Sequence, residues 1–181
     1  FNVFLICLPA FVALLFKGGI YAYASCSSIH NRQTQLYLYF LFALSIQNVA
    51  EIFALYTVNT KNVIPYFEVT VFYASSIVII ALLFHLALSL AFDNYLQGKK
   101  RWILVGGYLY AGLLEGLLLF TPWLIKDYER LSYGFGDSIT RIPGPLFFLF
   151  EMYAIGLFLV SIGILIHGLR TQTTAIKRAK N

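Results

Sequence analysis

Four glutamates, Glu51, Glu68, Glu115 and Glu151, stand inside stretches that are otherwise almost wholly apolar. A charged side chain at the centre of a hydrocarbon layer costs about 2.5–3.5 kcal/mol on insertion scales, so such groups usually face a protein interior or a wet cavity. Gln47 and Asn48 stand one turn before Glu51, on or near its face of a helix. Carboxylates flanked by amides can hold a cation, a proton, or the amine or hydroxyls of a small ligand. The competing use is structural: each glutamate can bond a tyrosine, a serine or a backbone carbonyl and so join neighbouring helices. Glu68, close to the start of its stretch, can also reach water unaided. The candidate ligand-binding residues are therefore Glu51, Glu115, Glu151, Gln47, Asn48 and Glu68, with Glu51, Glu115 and Glu151 expected to share one pocket.

Other reactive side chains give weaker signals. His85 and Ser89 form an i, i+4 pair, and His167 lies one turn from the end of its stretch. Two imidazoles at one depth can ligate a haem, but helix packing is the commoner use of such histidines. Neither a cofactor nor a metal is expected. Cys7 and Cys26 are too few for a disulfide scaffold and match no metal-ligand spacing, so both read as small packing residues. The chain has no nucleophile elbow, HExxH, P-loop or kinase signature. It is not expected to be an enzyme. No zinc-finger, helix-turn-helix or RNA-binding motif is present either, so no nucleic-acid partner is expected.

The elements that must position these residues follow from composition. Of 181 residues, 60% are hydrophobic and only 12% charged, with 13 Tyr and 17 Phe. Soluble domains carry about 25% charge, so the chain reads as an integral membrane protein. Residues 66–92 alone are long enough to cross a bilayer at about 1.5 Å per residue. Five spanning helices are expected, at about 1–24, 35–58, 65–92, 102–120 and 145–170, in one all-α polytopic bundle. Pro9 is expected to kink the first helix, and Lys17 to snorkel toward the headgroups. The segment 25–34, with His30 and Arg32, reads as a short loop. The one long connection, 121–144, carries a Tyr133-Gly134-Phe135-Gly136-Asp137 turn signal and predicts a small hairpin or a loop lying on the membrane. Gly112 and Gly116 form a GxxxG pair, expected to pack within the bundle.

Orientation comes from Lys and Arg in the connections. Arg32 follows the first span, Lys99, Lys100 and Arg101 the third, and Arg170, Lys177, Arg178 and Lys180 belong to the end of the chain. The other side has Lys61 and a long connection whose charges cancel. The positive-inside rule then puts the start outside and the tail in the cytoplasm. All four glutamates fall in the outer third of the bilayer.

The third span opens with Phe67 and Tyr73 and closes on Leu83-Phe84-His85-Leu86-Ala87-Leu88. It resembles the third helix of the bacterial seven-helix transmembrane sensor module found at the N-terminus of many histidine kinases. Tyr133-Gly134, then Arg141-Ile142-Pro143-Gly144-Pro145-Leu146-Phe147 leading into an aromatic helix, is similar to that module's outer loop and its fifth helix. The resemblance covers about residues 35–170. It implies a signal sensor in the bacterial cytoplasmic membrane, responding to an extracellular or membrane-borne ligand and acting on a cytoplasmic output domain. It brings no catalytic residues. Five spans are visible where the module has seven, and the chain starts at Phe1, so a piece of a longer protein is expected. The alternative is a non-catalytic accessory subunit that packs against lipids and partner membrane subunits. A weaker alternative is a proton- or cation-linked transporter.

Overall fold

The computed structural model describes residues 3–26, 31–61, 63–92, 94–133 and 136–180. His30, Gly134 and Phe135 of the expected loops lie outside the described residues, as does the side chain of Cys26. Five helices are present: α1 (Val3–Cys26), α2 (Arg32–Thr60), α3 (Tyr66–Ala91), α4 (Lys99–Phe120) and α5 (Phe147–Lys180). Between α4 and α5 run two strands, β1 (Ile125–Tyr133) and β2 (Gly136–Pro143). Four helices are long and apolar enough to cross a membrane, namely α2, α3, α4 and the Phe147–Thr171 part of α5. α1 has a shorter apolar stretch, Cys7–Tyr23, and stays helical through Pro9.

Three helix ends differ from the sequence reading. α2 begins at Arg32 because Asn31 caps it: the Asn31 side-chain oxygen accepts from the Thr34 amide at 2.8 Å and the Thr34 hydroxyl at 2.9 Å. α4 takes in the basic run expected as loop, starting at Lys99 after Gly98, whose φ of 60° suits glycine. Lysine and arginine stems extend a helix past the apolar layer at little cost. α5 starts at Phe147 and continues to Lys180, through a polar segment free of glycine and proline.

The long connection is an antiparallel hairpin, so two strands are added to the expected all-α bundle. A register irregularity falls between Ile125 and Asp127. Its effect is visible in the packing. Ile125 and Tyr128 are both buried, although a regular strand would send residues three apart to opposite faces. The extra residue puts both side chains against the helices.

α3 is the central element: α2, α4 and α5 all pack on it, while α1 packs on α2. One apolar cluster joins Ile77 and Ala81 of α3 to Leu114 of α4, Tyr153 of α5 and Tyr128 of the hairpin. A second, built on Phe84, Leu88, Tyr95 and Leu104, closes the far end. Two glycines sit where no other residue fits. A β-carbon on Gly144 would lie 2.2 Å from the Trp123 carbonyl oxygen, and one on Gly168 would lie 2.9 Å from the Ala91 β-carbon. Gly112 and Gly116 behave differently: a β-carbon on either meets nothing within 4 Å. The GxxxG pair therefore does not pack inside the bundle. It faces outward, because the α4–α3 seam uses Gly107, which lies against the Phe84 ring.

Candidate functional site

The hairpin is bound to the ends of α2 and α3 by polar contacts that span long sequence distances. Asn59 makes two of them with the backbone of Asp137: its amide donates to the carbonyl at 2.9 Å, and its oxygen accepts from the N–H at 2.9 Å. Tyr66 donates to the Asp127 carboxylate at 3.0 Å, and Arg141 donates to the Tyr73 hydroxyl at 3.2 Å. The Arg141 guanidinium also lies 4.4 Å from the Phe147 ring centroid. Within the hairpin, Arg130 and Asp137 form an ion pair. That contact, with help from Ser132, holds the Asp137 carboxyl below the usual carboxylate range. Burial pushes the Tyr128 hydroxyl up.

Beneath β2 is a cavity of about 150 Å³, lined by Glu51, Ala54 and Leu55 of α2, Val69, Phe72 and Tyr73 of α3, and Ser138 and Ile139 of the hairpin. At ~30 Å³ per water, this is room for about five waters or one small molecule. Its polar groups are the half-buried Glu51 carboxylate and the hydroxyls of Tyr73 and Ser138. A carboxylate accepts hydrogen bonds and never donates them when ionised, so the site suits a ligand with an amine or hydroxyl.

The other predicted residues are placed elsewhere. Gln47 donates to the Ser76 hydroxyl at 2.9 Å, joining α2 to α3. Asn48 is buried in the α1–α2 seam, accepting from the Lys17 ammonium at 3.0 Å and donating to the Ala10 carbonyl at 3.2 Å. Lys17, expected to snorkel, bonds the Asn48 amide oxygen on the neighbouring helix. Glu68, half-buried, edges an apolar trough of about 520 Å³ between α2 and α3, with Phe42, Ile46 and Phe53. Glu115 has one carboxylate oxygen buried without a hydrogen-bond partner. Glu151 is exposed on α5. Of the glutamates, Glu51 alone lines the cavity beneath β2. Glu115 and Glu151 are not brought to it. Among the described residues, no three His, Cys, Asp or Glu side chains are grouped to hold a metal ion.

His85 is wedged between two tyrosines, its Nδ1 bonded to the Tyr108 hydroxyl at 2.8 Å. His167 is exposed, with its ring 6.2 Å from that of Phe92. The sequence reading missed the hairpin anchors Asn59, Tyr66 and Arg141. Their only local signal is position, each being a polar or amphipathic residue at an element's end.

No family model matches the chain, and no curated protein or solved structure matches it.

Proposed function

We propose that the chain is a signal-sensing integral membrane module that detects a small extracellular or membrane-borne ligand. The ligand occupies the cavity beneath β2, and a helix rearrangement passes to a cytoplasmic output domain, in the manner of the sensor modules of bacterial histidine kinases. The single observation supporting this reading is the cavity, where Glu51, Tyr73 and Ser138 come together from three elements. A ligand there touches α2, α3 and the hairpin at once. β2 leads into α5 through only Gly144, Pro145 and Leu146, so a displaced hairpin pulls on the helix that carries the basic tail. Ligand must favour one helix packing over another for this to work; equal affinity for both shifts nothing. In this reading the hairpin end faces outward and the tail lies in the cytoplasm of a bacterial cell. The charge distribution supports that orientation: Arg32, Lys99, Lys100 and Arg101 are at the opposite end, while the hairpin's three basic and three acidic residues cancel.

The test combines binding with motion. Spin labels at Gln97 and Thr171, both exposed and at the end away from the hairpin, report the separation of the α3–α4 connection from α5. Methylammonium, ethanolamine and glycerol are screened for changes in thermal midpoint and in the label distance, with wild type beside Glu51→Gln. A sensor shows two distances whose proportions move with one ligand class and stay fixed in E51Q. One distance, unchanged by every ligand, argues against sensing.

A second reading, an accessory subunit, is favoured by the outward glycines of α4 and by α5, whose apolar window is only 11% buried. Photo-crosslinkers at Gly112 and Gly116 in native membranes separate the two. Specific protein adducts support the subunit, and lipid adducts alone support the sensor.

A further inference from the structure

The end of the bundle away from the hairpin holds a second cavity, of about 370 Å³, between the start of α2 and the α3–α4 connection. Its polar lining consists of Asn31, Arg32, Gln33, Ser89, Asn94, Tyr95 and Gln97, and among the described residues no carboxylate lines it. Asp93, in the same connection, lies outside the described residues. Gln33 is committed to the Ser89 carbonyl at 2.8 Å, and the Asn31 oxygen to Thr34. The cavity's donors are the Arg32 guanidinium, the Asn31 amide nitrogen, and the amide nitrogens of Asn94 and Gln97, beside the amide oxygens of Gln33, Asn94 and Gln97, which accept. The Arg32 guanidinium lies 5.6 Å from the centroid of the Tyr95 ring.

A second, independent observation concerns Tyr95 itself. It forms part of the cavity wall and is 6% exposed, yet its hydroxyl is buried without a hydrogen-bond partner. Its ring stands edge-on to His85, at 5.4 Å between centroids. His85 is 8% exposed, and its Nε2 is likewise buried without a partner while Nδ1 is taken by Tyr108. Leaving a buried polar group unpaired costs about 1–3 kcal/mol, so the Tyr95 hydroxyl, in a residue of the cavity wall, gains by turning to a ligand there, while His85 stands behind it and does not line the cavity. Next to Gln97 begins α4, whose N-cap Gly98 offers no side-chain acceptor to the first-turn amides. The positive end of the helix dipole and the Lys99, Lys100 and Arg101 side chains add to the same field.

We propose that this cavity binds a phosphate group, carried either by the headgroup of an anionic phospholipid at that membrane surface or by a soluble phosphate. Arg32 grips two of its oxygens, as a guanidinium fork does. Asn31, Asn94 and Gln97 supply further donors, and the Tyr95 hydroxyl turns to the anion. His85 is a positioning residue that holds the Tyr95 ring. At ~30 Å³ per water the cavity has room for about twelve waters, enough for a phosphate and part of a glycerol.

The experiment uses the full chain in neutral detergent and follows its thermal midpoint. One arm adds dioleoyl phosphatidylglycerol, with dioleoyl phosphatidylcholine as control; the other adds inorganic phosphate against chloride at equal ionic strength. The wild type is compared with Arg32→Gln, Tyr95→Phe and, as a control on the hairpin, Lys126→Gln. A rise with phosphatidylglycerol alone identifies a lipid headgroup, and a rise with inorganic phosphate identifies a soluble anion. In either case R32Q binds about tenfold more weakly, as expected for losing a charge-assisted bidentate pair. Y95F also binds more weakly, while its midpoint without ligand is equal to or above wild type. That combination separates ligand contact from a structural role, which would lower the unliganded midpoint instead. K126Q behaves as wild type. The proposal is overturned if neither arm raises the midpoint, if phosphatidylcholine does so equally, or if R32Q and Y95F respond as wild type does.

Discussion

Replacing Asn59 by alanine removes both hydrogen bonds between the end of α2 and the backbone of Asp137, each 2.9 Å long. A net hydrogen bond contributes about 0.5–1.5 kcal/mol, so the pair holds the hairpin down by about 1–3 kcal/mol. The lower figure applies if water reaches the released Asp137 groups, the upper if they stay covered. Converted at 1.4 kcal/mol per decade, this is an increase of about 5- to 150-fold in the opening equilibrium of the hairpin. Native-state hydrogen exchange in nanodiscs reads that equilibrium residue by residue. Amides of β2 should exchange faster by this factor, while those in the middle of α3 stay unchanged, because the helix ladder is untouched. Asn59→Asp is the informative companion. It keeps an acceptor for the Asp137 N–H but loses the donor to the carbonyl, so it opens the hairpin at least as far as losing one bond does. Equal protection of β2 in wild type and N59A would refute the claim that this contact fastens the hairpin.

Gly144→Ala should lower the thermal midpoint, since its β-carbon would fall 2.2 Å from the Trp123 oxygen and overpacking of this kind costs about 1–3 kcal/mol. Gly112→Ala, with open space around it, should leave the midpoint unchanged or slightly raised. Lys17→Met and Asn48→Leu should couple by about 0.5–2 kcal/mol in a double-mutant cycle read by unfolding in mixed micelles, because the 3.0 Å bond joins them directly. Pairing of the two hairpin strands should weaken in acid. Asp137 titrates below the ordinary carboxylate value of about 3.9, so the unfolded hairpin takes up the proton first. The contribution is complete above that value and disappears as pH falls through the folded one. Arg130→Gln should flatten this dependence in an exchange-versus-pH series.

The long apolar stretches that became α2, α3, α4 and the first part of α5 were legible because crossing hydrocarbon demands length and composition above all. Which side of each helix faces inward was not. In a soluble helix the polar face marks the outside, but where every face is apolar that periodic signal vanishes. The expectation of one depth for Glu51, Glu115 and Glu151 comes from their places along the chain, yet they point in different directions around their helices. The outward turn of Gly112 and Gly116 escaped for the same reason. Asn59 and Asp137 are 78 positions apart, and nothing in either neighbourhood announces the other. The irregularity between Ile125 and Asp127 likewise shows itself only when two buried residues prove to be three apart.

The bond from Lys17 to Asn48 has a consequence for biosynthesis. Lys17 leaves the ribosome 31 residues ahead of its partner. Were α1 to enter lipid before α2, it would carry a bare ammonium, at a cost of about 2.5–3.5 kcal/mol on insertion scales. That is a reason for the first helix to be inserted only together with the second. Paired insertion of α1 and α2 would let the central helix α3 arrive to find its first neighbour already in place.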